Sequence, residues 1–370
     1  MELYMYNPAF DSLGITEKFR TLIWTRRYQT AGEFRLLVPY RSDYAQYLTA
    51  GNLVMQRGGT EAMEIEYVGF TQSVDEEELI EATGRTLMCW MDRRVTIRQI
   101  VSSGLTRQQI LLRLIAQNIT APTDTSRKFP YSSIRARSTY ADADISDYAS
   151  TENTQLNENV EDLLADSDLG LRVWTDPLAK THAFDVYRGQ DLTVEQSAQD
   201  PCIFSTEFGM LGTHGYTRST EAYRNVAYVY GNEYTEVVNA TRTGLERREL
   251  AVEASDISKT YTDEDGEAVT LTEAQVRNTL RQRGKEQLKL NIVEQTFTAS
   301  VSPNAQMQYG TDYDLGDRVT CIDWRWGVAM NERITEVTQT WQDNKVELEL
   351  VFGGGTPTLR SALRRYAKGR

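Results

Sequence analysis

Met63-Glu64-Ile65-Glu66-Tyr67 alternates apolar and acidic side chains. Successive side chains of a β-strand point to opposite faces, so this period of two predicts a strand over residues 63–70 with one dry and one wet face. The surroundings repeat the signal. Leu53 to Gln56 precedes it across the turn Arg57-Gly58-Gly59-Thr60, and Leu79 to Thr83 and Thr86 to Val95 follow on either side of Gly84. Upstream, the aromatic and β-branched run Lys18 to Tyr28 is broken at Gly32 and resumes as Glu33 to Val38 before Pro39. Each pair has the composition of a hairpin, and the first hundred residues read as an antiparallel β module.

The texture changes after Ile100. Thr106-Arg107-Gln108-Gln109 matches a capping box, in which the Thr hydroxyl and the Gln amide satisfy free N–H groups at a helix start, and Ile110, Leu111, Leu114 and Ile115 then form one apolar stripe. A second amphipathic helix is expected from Asn157 to Asp166, with Val160, Leu163 and Leu164 inward and Gly170 as its stop. Strands Leu171 to Thr175 and His182 to Arg188, joined through Asp176-Pro177, complete a small α/β module that ends near Asp191. β texture returns with Ile203-Phe204-Ser205 and Val226 to Tyr230. An excursion follows: a strand Leu245 to Ala254, a hairpin turn at Asp265-Gly266, and a helix opened by the capping box Thr272-Glu273-Ala274-Gln275 with Val276, Leu280 and Leu288 on its apolar side. Val293 to Val301, Arg318 to Asp323, Arg333 to Trp341 and Val346 to Phe352 read as closing strands. No short tandem period occurs, and the two β modules permit two copies of one barrel.

At 370 residues the chain exceeds one ordinary core, so several modules are expected. Its formal charge of -13 speaks against a grip on nucleic acid through phosphate neutralisation. An acidic wall would instead let DNA slide without sticking; surplus acid that simply keeps the protein soluble is an equal reading. No apolar run reaches the ~18 residues of a membrane span, and Met1 to Pro8 lacks the basic-then-apolar pattern of a secretory signal. Cys89, Cys202 and Cys321 lie too far apart for a zinc knuckle or redox dithiol, and read as small buried apolar residues in a reducing cytosol.

Catalysis is poorly supplied. There are two histidines, His182 on an expected strand and His214 in the loop from Gly209 to Gly215, and neither H-E-x-x-H nor G-x-S-x-G occurs. Asp142, Asp144 and Asp147 have the composition of a cation site or an acid–base pair, with a solvated loop as the favoured reading. Tyr261 to Thr272 places Asp263, Asp265 and Gly266 as a calcium loop does but has Tyr261 and Thr272 where Asp and Glu are required, so it reads as a hairpin turn. Gly209-x-x-Gly212-x-x-Gly215 lacks the Lys of a phosphate loop, and Gly353-Gly354-Gly355 reads as a flexible exit. No catalytic, cofactor-binding or metal-ligating residue is assigned. Residues 353–370 form a basic segment in which Leu359, Arg360, Leu363, Arg364, Arg365, Tyr366 and Lys368 are candidates for docking on an acidic neighbour; a frayed, solvated tail is the equal alternative.

Ile23-Trp24-Thr25-Arg26-Arg27-Tyr28 with Gly32-Glu33-Phe34, Tyr187 to Thr193, Phe204 to Gly209, and Tyr313-Asp314-Leu315-Gly316-Asp317-Arg318-Val319 with Arg333 to Val337 and Val351 to Gly353 carry a likeness. In these stretches the chain resembles a siphovirus tail-protein family whose architecture is that of baseplate or tail-tip hubs. Asp314 to Asp317 also has a plain local reading as a turn, where Gly supplies positive φ and Asp bonds neighbouring backbone.

The resemblance implies an α+β, β-rich fold: a tube-like antiparallel β-barrel over 1–98, a small α/β domain over 99–198, a second barrel from 199–237 with 292–352, and an inserted hairpin-helix module over 238–291. It implies three copies in a ring at the virion tail tip, made in the bacterial host cytoplasm, without stable membrane insertion. Expected partners are a distal tail or tube protein, the tape-measure protein, and fibre or spike proteins. DNA would pass through the channel without specific binding, and neither a cofactor nor an enzymatic activity is expected. A tail-associated cell-wall hydrolase and a receptor-binding module are the alternatives.

Overall fold

Alternation does produce the first strands. The computed structural model describes residues 1–71, 78–97, 100–135, 138–140, 147–149, 153–165, 167–262, 268–302, 305–342 and 345–353. In it β1 (Leu3–Tyr6), β2 (Ser12–Thr16), β3 (Thr21–Arg27), β4 (Glu33–Pro39), β5 (Leu53–Gln56), β6 (Ala62–Thr71) and β7 (Leu79–Thr86) pair in the order β3-β4-β7-β6-β5-β1-β2. Alternate residues such as Leu22 and Trp24, Leu36 and Val38, and Met63 and Ile65 meet in one dry core with Leu3, Met5 and Val54.

The turn expected at Gly84 is absent. β7 runs through that residue, and the chain after Thr86 forms a buried 3-10 helix, Leu87–Arg93, in place of a strand. Pairing between β6 and β7 shifts between Ile65 and Tyr67, and Gly84 lies opposite Ile65 at this bulge. A Cβ on Gly84 would stand 1.8 Å from the Glu64 carbonyl oxygen, so close backbone approach, rather than a turn, requires glycine there.

The bulge also resets the alternation read from residues 63–67. Tyr67, expected on the dry face, is 55% exposed, and Glu64, expected wet, is 8% exposed. The 3-10 helix covers Glu64, whose Oε2 accepts from Trp90 Nε1 and from Arg93 at 2.7 Å each. A buried carboxylate is tolerated when it is paired in this way.

Capping boxes and stripes specify the next module. β8 (Val101–Ser103) precedes α1 (Arg107–Ile115), which starts with both bonds of the Thr106–Gln109 box made. β9 (Ser132–Arg135), β10 (Asp147–Ala149), α2 (Leu156–Ala165), β11 (Gly170–Asp176) and β12 (Thr181–Tyr187) follow, with β11-β12-β9 forming a three-stranded sheet. Ile110, Leu111, Leu114 and Ile115 are fully buried in one core with Val160, Leu163 and Leu164. That core includes Leu53 and Met55 of β5, so this strand is buried on both faces. Gly170 does not stop α2; it opens β11.

Beyond β13 (Asp191–Leu192), β14 (Ile203–Ser205) and β15 (Leu211–Ser219), β16 (Val226–Tyr230), β17 (Thr235–Val238) and β18 (Glu249–Glu253) make a separate sheet. Val226–Tyr230 therefore pairs with the excursion and not with the second β unit. β19 (Thr260–Thr262) and β20 (Ala268–Thr270) pair antiparallel, and the turn expected between them lies outside the described residues. α3 (Glu273–Leu290) starts on its capping box and buries Val276, Leu280 and Leu288 against Ala227, Val229 and Val252.

β21 (Glu294–Val301), β22 (Arg318–Asp323), β23 (Val328–Gln342) and β24 (Lys345–Gly353) return to the large sheet. Among the described residues two separate closed barrels are not formed. The first half of β23 pairs with β22, while its second half lies between β24 and β3, from Glu336 opposite Arg27 to Gln342 opposite Thr21. Both β units thus share one sheet, β15-β21-β24-β23-β3-β4-β7-β6-β5-β1-β2, whose ends β15 and β2 remain unjoined among the described residues. A barrel needs its first and last strands to pair with each other.

Cys89, Cys202 and Cys321 are free and buried, as their isolation in the sequence suggests. His182 on β12 stacks on Phe10 at 4.5 Å between ring centres, meets Trp90 edge-on at 5.0 Å, and places Nδ1 3.1 Å from Thr175 Oγ1. Burial pushes its pKa from 6.5 down to about 4.

Between those values the unfolded chain binds a proton that the folded chain refuses. The stability from the neutral imidazole is complete above pH 6.5 and is lost as pH falls toward 4, by roughly 3 kcal/mol in all. Urea titrations from pH 7.5 to 4 are expected to show His182→Gln with an acid limb flatter by about that amount; parallel curves for the two proteins would refute the assignment.

Candidate functional site

Tyr28 ends the run Ile23 to Tyr28 with a large ring and a hydroxyl that needs a partner once buried. Both needs are met where the two β units and the α/β module come together. Its ring lies against Gly170 of β11 and against Gly316, where added Cβ atoms would stand 2.3 and 2.4 Å from ring carbons. Tyr187 meets it edge-on at 5.1 Å. The hydroxyl donates to the Asp168 carbonyl at 2.6 Å and accepts from Gly189 N–H at 3.4 Å. The Arg333 guanidinium lies 5.1 Å from the ring centre, donates to the Gly316 carbonyl, and reaches Asp168 Oδ1 at 2.9 Å.

The turn Tyr313-Asp314-Leu315-Gly316-Asp317 lies in this joint. Tyr313 and Leu315 are buried in the core with Phe204, which meets Tyr313 edge-on at 5.1 Å. Gly316 has φ +96°, and Asp317 bonds neighbouring backbone as its residue type predicts: Oδ1 accepts from Gln190 N–H at 2.7 Å and Oδ2 from Asp314 N–H at 2.8 Å. Burial raises the Asp317 pKa. Asp314 Oδ1 accepts from Arg26 at 2.9 Å, and the same guanidinium donates to Glu61 at 2.6 Å and to the Tyr309 hydroxyl at 2.6 Å. One arginine therefore ties β3 to two distant segments.

Five stretches far apart in sequence thus converge here: Ile23 to Tyr28, Tyr187 to Thr193, Phe204 to Gly209, Tyr313 to Val319, and Arg333 to Val337. β13 and β14 both run parallel to β22, completing the convergence. The named guanidiniums face carboxylates and carbonyls, and the carboxylates face arginines and backbone N–H groups. Such an arrangement holds three units in fixed relation. The sequence marks the turn, and the likeness includes Tyr28, Gly189 and Arg333, but their contacts with one another and with Gly170 are not readable from it, because no local pattern says which distant glycine a ring will meet.

The other candidates stay apart. His214 lies on β15 with Nδ1 3.1 Å from the Gly212 carbonyl and Nε2 2.6 Å from Asp323 Oδ2. Both nitrogens face acceptors, an arrangement that favours the protonated ring, and the bond to Asp323 raises its pKa. Gly212 and Gly215 lie on the same strand, which rules out a phosphate loop. Asp147 pairs opposite Ser103 in β10, whereas Asp142 and Asp144 lie outside the described residues. Leu359, Arg360, Leu363, Arg364, Arg365, Tyr366 and Lys368 lie outside them too. Among the described residues no group of three or more His, Cys, Asp or Glu side chains is placed to hold a metal, and no helix is long and apolar enough to cross a membrane. The sequence reading missed Trp324 and Trp326, 66% and 79% exposed at the β22–β23 turn.

A family model described as siphovirus ReqiPepy6 Gp37-like protein matches residues 2–354. Among solved structures, a tail protein from Neisseria meningitidis MC58 is similar at 13% identity and TM-score 0.57, over 95% of this chain and 96% of that one. The 43 kDa tail protein of prophage MuSo2 from Shewanella oneidensis is similar at 12% identity and TM-score 0.55, over 95% and 97%. Prophage tail protein gp18 from Listeria monocytogenes EGD-e is similar at 12% identity and TM-score 0.54, over 100% and 99%. At such identities the likeness is one of fold. No curated protein matches.

Gly316→Ala combines positive φ with a clash against Tyr28, and is expected to cost roughly 2–4 kcal/mol in urea unfolding followed by intrinsic fluorescence. Tyr28→Phe keeps the ring and strips the hydroxyl, for about 1–2 kcal/mol. A neutral Gly316→Ala would show that the joint has slack.

Proposed function

The chain belongs to the siphovirus Gp37-like tail protein family, and on that premise we propose that it is a structural hub of the tail tip. Three copies would close a ring that joins the tail tube to fibre, spike or receptor-binding components and surrounds the DNA channel.

The observation that carries this reading is the shared sheet with two unjoined edges. β15 is nine residues long, with Gly212, Thr213, Gly215, Thr217 and Arg218 exposed. An exposed edge of this length invites pairing with another chain, and a closed ring of identical copies satisfies it without runaway growth.

One face of the sheet supports the channel. The direct register places Ser300, Glu349, Thr338, Thr25, Glu33 and Arg85 in one row across six strands. That row holds no apolar residue. On the same face Arg27 pairs with Glu33 and Glu336, Arg35 with Glu81, and Arg85 with Glu66 and Asp92. Arginines already neutralised by carboxylates hold phosphate weakly, which suits a wall along which DNA moves.

The cell-wall hydrolase reading draws no support from the joint, whose charged groups are engaged with one another. The receptor-binding reading has one observation in its favour, the exposed Trp324 and Trp326 on either side of Arg325; retention of the protein on host cell-wall polysaccharide would favour it.

Light scattering is expected to give three times the 42.2 kDa monomer mass, and negative-stain averages to show threefold rings with a central hole. Thr213→Lys with Thr217→Lys charges the β15 edge and should leave a folded monomer. A wild-type chain that stays monomeric at high concentration, alone and beside its tail components, would end the proposal.

A further inference from the structure

In a chain of net charge -13, a cation without an acidic partner is informative. On α3, Arg277 and Arg281 both reach Glu236, and Arg283 reaches Asp256. A cleft of about 360 Å³ beside the same helix differs. Its wall includes Tyr223 and Arg224 ahead of β16, Asn239 and Arg242 after β17, and Lys285 and Leu288 of α3, and none of its lining residues is acidic. Arg224 is oriented by backbone alone, donating to the Glu221 and Tyr223 carbonyls at 2.9 Å each. Among the described residues, Arg224, Arg242 and Lys285 make no ion pair.

Lys289, which also lines the cleft, stands in the last turn of α3, where the negative helix end favours a cation. That end carries only about half a unit of negative charge, and it does not account for Lys285 a turn earlier or for the two arginines brought in by loops. The local balance stays positive.

We infer that this cleft binds a small phosphate ester, a phosphate group joined to a sugar or polyol. Three cations converging from three segments suit a tetrahedral group with several terminal oxygens, whereas one guanidinium fork already satisfies a planar carboxylate. The volume is near the lower end of the roughly 300–1,000 Å³ range of small-molecule sites, more than a bare ion needs. Tyr223 and the buried Leu288 supply a less polar wall for the organic part. A half-open cleft of this size meets one phosphate, while a DNA duplex presents a charge about every 1.7 Å along its axis and needs an extended basic track. The inference does not depend on ring assembly.

Calorimetry on the full chain with glycerol 3-phosphate, inorganic phosphate, acetate and a poly(glycerol phosphate) chain tests it. Glycerol 3-phosphate should bind more tightly than inorganic phosphate, and acetate not at all. Arg242→Glu with Lys285→Glu should weaken the ester about tenfold or more, and Arg242→Ala alone by less. Both side chains are exposed and unpaired, so the thermal midpoint of each variant should match the wild type. Tighter binding per phosphate of the polymer would identify a surface polymer as the source of the ester, and equal binding a free one. Absence of ester binding, equal binding of acetate, or an affinity untouched by the double reversal would overturn the inference.

Discussion

The pairing of β3 with β23 is the constraint on which the molecule depends. Seven register pairs, Thr21 opposite Gln342 through Arg27 opposite Glu336, turn two β units into one sheet. Backbone N–H and C=O groups that each unit would otherwise present to water are satisfied by the other. The pairing also carries Tyr28, one residue beyond β3, to the place where Gly170 and Gly316 leave room for a ring. The Thr25 and Thr338 hydroxyls, 2.9 Å apart, repeat the link on the polar face. Sheet continuity and joint packing are therefore two consequences of one register.

How much of this is legible in the sequence depends on the range of the interaction. Both helices opened by Thr-x-x-Gln boxes start where the boxes stand, because a cap is satisfied within four residues. The strands at Glu33, Leu53 and Arg318 are equally local. Gly84 is not: it looks like a turn until the Glu64 carbonyl is placed against it. Tyr67 and Glu64 exchange environments because a bulge is a property of two strands, and a covering helix of a third segment. Val226–Tyr230 reads as a strand in any context, and only its partners reveal which sheet it joins. In the joint, the Asp314 to Asp317 turn is readable from residue type, whereas Tyr28 depends on partners 140 or more residues away.

Charge follows a similar division. Composition gives a surplus of acid, which suggests uniform repulsion, yet the structure distributes it unevenly. On the sheet face each arginine is matched to carboxylates, and beside α3 three cations are left without one. The same residue type therefore has opposite consequences in the two places. A matched arginine stiffens a wall, and an unmatched one raises the local potential for an anion to enter.

A site built for chemistry normally holds a group with its proton affinity displaced and its partner withheld for the substrate. In the joint Asp317 and Tyr28 are displaced but committed, whereas the buried Tyr187 and Tyr313 hydroxyls, also raised by burial, find no hydrogen-bond partner among the described residues. Asp317 is raised by burial, but both its oxygens accept from backbone; Tyr28 is pushed up to about 12, but its hydroxyl is committed to Asp168 and Gly189. Burial at the joint is thus the result of packing three units tightly, and the strained pKa values are its by-product. With the charged groups of the joint engaged with one another, the features open to other molecules lie at the surface: two unjoined edges, a polar sheet face, a turn with two exposed tryptophans, and a cleft with unmatched cations.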